Sequence, residues 1–94
     1  MNTLLLLMAE YETAQIPLDR CSHLFGMTPA EAAKRACRHA LPVPVYRVGS
    51  QKSPWIVDAT QLADYLDKQK AKAADEWRRI NSQLAVSLLD RRSL

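Results

Sequence analysis

The stretch that most restricts the fold is Leu24-Phe25-Gly26-Met27-Thr28-Pro29-Ala30-Glu31. Gly26 supplies the left-handed residue that stops a helix. Two residues later, Thr28 and Glu31 form a capping box, and Pro29 occupies the first helical position, where its missing N–H is no loss. A helix stop and a helix start this close together force two helices into a tight, angled pair. The spacing predicts a first helix with Pro17 in its opening turn and Leu18, Cys21, Leu24 and Phe25 recurring along it. The second helix is expected to run from Pro29 to about Ala40. Its small residues Ala33, Ala36, Cys37 and Ala40 should pack on the first helix, leaving Glu31, Lys34, Arg35 and Arg38 outside.

The flanking segments give this pair its setting. Before it, Asn2 or Thr3 can cap a helix over Leu4 to Glu12, rich in Leu, Met, Ala and Glu; a buried strand is the competing reading of the same apolar run. After it, Val43, Val45, Tyr46 and Val48 precede Gly49-Ser50, and Trp55, Ile56 and Val57 follow Pro54, which predicts a β-hairpin. Pro42, Pro44 and Pro54 cannot donate ladder hydrogen bonds, so the strands should be short and at an edge, with a tip at Gly49 to Ser53. Asp58 and Gln61 then repeat a capping signature, and from Ala59 neither Gly nor Pro occurs again. One long helix is expected. Leu62, Tyr65 and Leu66 can pack on the body, whereas Ala73, Trp77, Ile80, Leu84 and Leu88 continue the apolar spacing beyond any core so small a body offers, predicting a self-association stripe.

Mainly α with a small β-hairpin wing, the order helix, turn, capped helix, wing and long C-terminal helix is that of a winged helix-turn-helix. We expect residues 1–67 to form that domain and residues 68–94 a dimerising extension. At 94 residues the chain is long enough for one modest core.

The net charge of +3 is unevenly spread. Glu10, Glu12 and Asp19 make the start acidic; Arg20, Lys34, Arg35, Arg38, Arg47 and Lys52 face only Glu31 in the middle; the remainder is nearly balanced. A basic centre in this fold points to double-stranded DNA. The expected contacts are Thr28, Lys34, Arg35 and Arg38 on the capped helix and Arg47, Ser50, Gln51 and Lys52 on the wing, with Arg20 in support. The competing account is a helical hairpin with a merely solvated charged face.

Other chemistries fit less well. Cys21-Ser22-His23 and Cys37-Arg38-His39 could supply four zinc ligands, but residues two apart on a helix point about 200° apart and cannot converge on one ion. Both cysteines are therefore expected as small core residues with reduced thiols, and no metal or cofactor is expected. No phosphate loop, paired acids or activated nucleophile is present, which argues against an enzyme. The apolar run Leu4 to Ala9 is too short to span a bilayer and lacks the flanks of a signal peptide, and Asp75 and Glu76 beside Trp77 disfavour a membrane-surface helix. A cytoplasmic protein is expected.

Four short segments carry a resemblance: NTLLLLMAEY at Asn2 to Tyr11, IPLD at Ile16 to Asp19, SQK at Ser50 to Lys52 and LADYLD at Leu62 to Asp67. In this order they resemble the PrtN-type pyocin activators over about the first 70 residues. The resemblance implies a transcriptional activator of phage-tail-like bacteriocin genes that binds repeated promoter boxes and, as an activator, meets RNA polymerase. LFGMTP, the basic helix, the wing and LADYL also resemble excisionases and MerR-like winged helices, which share the architecture. Ser53-Pro54-Trp55 departs from the pyocin-activator pattern, and the last helix matches little of it. The alternatives are an excisionase-like DNA-bending factor and a protein-interaction module acting through the terminal helices.

Overall fold

A computed structural model describes residues 2–92, with side chains through residue 84. Helix α1 spans Thr3–Tyr11 and is capped by Asn2, whose side chain accepts from the Leu5 amide at 2.8 Å. The helical reading of this segment therefore holds over the strand. Leu7 and Tyr11 face inward, while Leu5, Leu6 and Met8 remain exposed. Glu12 closes the helix in the left-handed region, at φ 60°.

Gln15–Pro17, expected only to break the chain, forms a short strand, β1. It pairs antiparallel with β3 (Ile56–Asp58), and β3 pairs antiparallel with β2 (Val45–Tyr46), giving the order β1-β3-β2. Ile16 and Val45 both stand opposite Val57, and Ile16 and Val57 are fully buried. The wing is thus a three-stranded sheet rather than a lone hairpin. A third strand gives the central one hydrogen-bonding partners on both edges, which an isolated hairpin lacks. Pro17 ends an edge strand, where its missing N–H breaks no ladder.

The first helix of the expected pair is split. Leu18–Cys21 is α-helical (α2) and Ser22–Phe25 tightens into a 3-10 turn, closed by Gly26 at φ 72°. Helix α3 spans Pro29–Cys37, with the Thr28 hydroxyl oxygen accepting from the Glu31 amide at 3.2 Å as the capping box requires. It ends short of Ala40. His39 enters the left-handed region at φ 53°, its amide donates to the Ala36 carbonyl at 3.1 Å, and the Ala40 amide donates to the Arg35 carbonyl at 2.9 Å. This is a Schellman closure with His in the position usually held by Gly.

The packing face of α3 also differs from expectation. Ala32 and Ala36 are fully buried, whereas Ala33, Cys37 and Ala40 are exposed. The split α2 and its 3-10 turn meet α3 about 70° round the helix from the side the alanine spacing suggested, by a count of 100° per residue. Cys37 is accordingly a surface thiol, and only Cys21 is a core residue.

Helix α4 (Ala59–Arg92) starts where the Asp58 carboxylate accepts from the Thr60 amide at 3.1 Å, one residue nearer than the Gln61 amide of a capping box. Leu62 and Ala63 are buried, and Tyr65 and Leu66 pack partly against the core. The Ala59 amide donates to the Ala14 carbonyl at 2.9 Å, and the Thr3 hydroxyl bonds the Asp67 carboxylate, so α1 runs antiparallel to α4 and begins beside Asp67. From there α4 continues with no covering element among the described residues, and the molecule measures 70 Å along its longest axis. The architecture is winged-helix-like, mainly helical with a small antiparallel sheet. Among the described residues no helix is long and apolar enough to cross a membrane.

Candidate nucleic-acid interface

Helix α3 carries its charges away from the core. Counting 100° per residue from Ala32 and Ala36, Lys34 points directly outward, Arg38 lies within about 40° of that direction, and Arg35 falls on one flank. All three are exposed. The opposite flank carries Ala33, which with Pro29 lines a cleft of about 180 Å³ whose other wall is Pro54 and Trp55 and whose remaining lining is Leu18 and Asp19. The wing therefore sits beside α3 on the Ala33 side. By the same count Cys37, Ala30 and Lys34, about 40°, 60° and 100° round from Ala33, form the surface nearest it, whereas Arg38 and Arg35, about 140° and 160° round, face away from it.

Thr28 is exposed at the start of α3, but its oxygen is already used on the Glu31 amide, and Pro29 has no N–H to offer. Glu31 adds a negative charge to that first turn. The end of α3 is thus a weaker anion site than an unoccupied helix start. What Thr28 retains for an outside partner is its hydroxyl proton.

The wing tip is an ordered turn. The Ser53 amide donates to the Ser50 carbonyl at 3.0 Å and the Lys52 amide to the Ser50 hydroxyl at 3.2 Å, placing Gln51 and Lys52 at the exposed corner. Gly49 enters this turn at φ 98°. Arg47 behaves differently from the tip residues. Its guanidinium carbon lies 4.1 Å from the centre of the Trp55 ring, across the base of the wing. Arg47 Nε and Trp55 Nε1 are buried without a hydrogen-bond partner among the described residues, so the pair is held by ring-face attraction and packing. Sequence reasoning assigned Trp55 to a strand and missed this pairing; the signal was an Arg and a Trp near the facing ends of a predicted hairpin.

Arg20 sits on a different side, 5.3 Å from the centre of the Tyr11 ring. Among the described residues the ion pairs are Lys68–Asp64 and Arg78–Asp75, both exposed on α4. Lys34, Arg35, Arg38 and Lys52 enter neither. Burial pushes the Cys21 thiol up to about 11, which leaves it protonated and inert at neutral pH. Among the described residues no group of three or more His, Cys, Asp or Glu comes together to hold a metal ion.

The order of elements and the sequence that builds them agree with one family. A family model described as "Pyocin activator protein PrtN" matches residues 3–73, from the first residue of α1 into α4. The chain belongs to the pyocin activator family. This is a regulatory family, not an enzymatic one. The match spans the whole surface just described, α3 and wing included, and stops before Trp77, so the exposed Trp77, Ile80 and Leu84 of this pyocin activator's long helix lie outside it. Neither a curated protein nor a solved structure matches the chain.

Of the expected association residues, Ala73, Trp77, Ile80 and Leu84 are exposed on α4, and the side chain of Leu88 lies outside the described residues.

Proposed function

We propose that this pyocin activator is a sequence-specific DNA-binding regulator that switches on phage-tail-like bacteriocin genes by setting α3 into the major groove and the wing on adjacent backbone. The observation that carries the reading is the pair of exposed cations, Lys34 and Arg38, on the outward side of α3. Among the described residues they enter no ion pair, and they stand on a helix whose back packs through alanines alone and whose Ala33 flank meets the base of the wing. Short side chains behind α3 let it lie close to its scaffold, while long cationic ones in front reach a groove floor. Arg38 can address guanine O6 and N7 with two N–H groups, Lys34 and Lys52 can meet phosphates as point charges, and Ser50 and Gln51 can hydrogen-bond backbone or minor-groove edges.

In this reading residues 1–67 dock on DNA and residues 68–94 join two copies, so that promoter boxes are met in pairs. The partners are double-stranded promoter DNA, a second copy of the chain and, for an activator, RNA polymerase. No cofactor takes part, and the site of action is the cytoplasm.

The test is a footprint on DNA upstream of bacteriocin genes, repeated as salt is raised. Protected boxes whose occupancy falls steeply with salt, with a log–log slope of several units, support the reading. Absence of protection at low salt, or protection indifferent to salt, would remove it.

A further inference from the structure

The face of α4 that packs on α1 does not stop at Asp67, beside which α1 begins. By a count of 100° per residue, Ala59, Leu62, Ala63 and Leu66 cluster on one side of the helix, and Ala73, Trp77, Ile80 and Leu84 fall on the same side further along. The first group is buried or partly buried; Trp77, Ile80 and Leu84 are 65%, 55% and 57% exposed. The paired charges Asp75–Arg78 and Asp64–Lys68 stand away from this stripe. One side of the helix, apolar on both sides of Lys70, thus has its first half covered and its described second half bare.

We infer that a second copy of the chain covers the bare half, and that the two α4 helices cross it antiparallel, with Trp77 of each copy layered against Ile80 of the other. Two features of the stripe select this direction. Lys70 occupies the stripe one heptad before Trp77. A parallel pair would set Lys70 against its own copy and force both Trp77 rings into one layer, whereas the antiparallel pair separates the two lysines and puts each opposite position 87. Size is matched as well: in this register Ala73, the smallest stripe residue, faces Leu84, so small meets large in the outer layers and Trp77 meets Ile80 in the inner ones. At the flank Glu76 comes beside Gln83 of the other copy rather than a like charge.

The register also fixes how far apart the two bodies stand. Leu66, the last core residue of α4, falls opposite position 91 of the second copy. At 1.5 Å per residue the two Leu66 positions are about 37 Å apart along the helix axis. That is comparable with the 34–36 Å between successive major grooves on one side of a duplex.

The inference rests on the dimeric part of the regulator reading, and its test is independent of DNA. In a Cys37→Ser background, Ala73→Cys and Leu84→Cys chains are oxidised separately and after mixing under reducing conditions. Disulfide dimers in the mixture alone are the expected result. Like residues lie about 16 Å apart in the antiparallel pair, beyond the roughly 7 Å a disulfide can bridge. Cross-linking of either variant with itself would overturn the arrangement in favour of a parallel pair. Failure to cross-link in any combination would overturn it too, with light scattering of the unmodified chain telling a different dimer from a monomer. Neither failure would touch the footprint, which a monomer can also give. The companion variant Trp77→Ala with Leu84→Ala should halve the mass by light scattering while circular dichroism of the body persists.

Discussion

Arg47 reaches back across the base of the wing and rests over Trp55, so a cation from one side of the hairpin is held by a ring from the other. The consequence is a wing whose charge is placed before any partner arrives. A flexible arginine gives up rotamer freedom of up to about 2 kcal/mol when it is fixed on binding, and the ring has already imposed part of that loss.

Trp55→Leu should therefore weaken DNA binding by about 0.5–2 kcal/mol, roughly 2- to 30-fold, while Trp55→Phe, which keeps a ring face, should lose less than half of that. Fluorescence anisotropy on a promoter fragment reads the affinity. Thermal melting of both variants separates loss of the stack from loss of the fold.

Two helix ends carry a cost that glycine would remove. Glu12 closes α1 at φ 60° and His39 closes α3 at φ 53°, both in the region where a Cβ crowds the neighbouring carbonyl. His39→Gly should raise stability by up to about 1 kcal/mol, or several degrees in melting temperature for a chain of this size, and Glu12→Gly should act in the same direction. Because the side chain of His39 is exposed, calorimetry should find the gain without a change in the cooperativity of unfolding.

The two cysteines should behave as opposites. Cys21 is fully buried and its thiol is held up to about 11, whereas Cys37 is exposed on the α3 surface beside the wing. At neutral pH an alkylating reagent should label one cysteine in the folded chain and two after denaturation, as counted by mass spectrometry. Promoter DNA should protect Cys37 from the label. Stability has a matching pH dependence. The folded chain keeps the Cys21 proton longer than the unfolded chain does, so this contribution is complete below about pH 9 and is lost as pH rises towards 11. Tyr11, raised chiefly by burial, acts in the same direction.

What could be read from the residues follows the strength of the local signals. Gly26, Thr28, Pro29 and Glu31 act on their own neighbours, and the turn and helix start appear where those residues place them. The wing and the long last helix were legible for the same reason. The third strand was not, because Gln15–Pro17 owes its extended form to pairing with Ile56–Asp58 far along the chain. The packing side of α3 was misplaced because Ala32, Ala33, Ala36 and Cys37 are all small enough to be buried. Which of them were buried depended on how Leu18–Cys21 gave way to a 3-10 turn. That rotation refines the candidate interface. Lys34 and Arg38 become its centre, Cys37 joins the surface, and Arg35 moves to a flank.

The measurement that bears most directly on the account is the affinity of the Lys34→Glu, Arg38→Glu double variant for a footprinted promoter fragment, read beside Arg35→Glu and with circular dichroism confirming the fold. With each lost DNA contact worth about 1–3 kcal/mol, the double variant should bind at least about 30-fold more weakly and show a shallower salt dependence, and Arg35→Glu should lose distinctly less. A folded double variant that binds the fragment as tightly as the unmodified chain would contradict the placing of α3 in the groove.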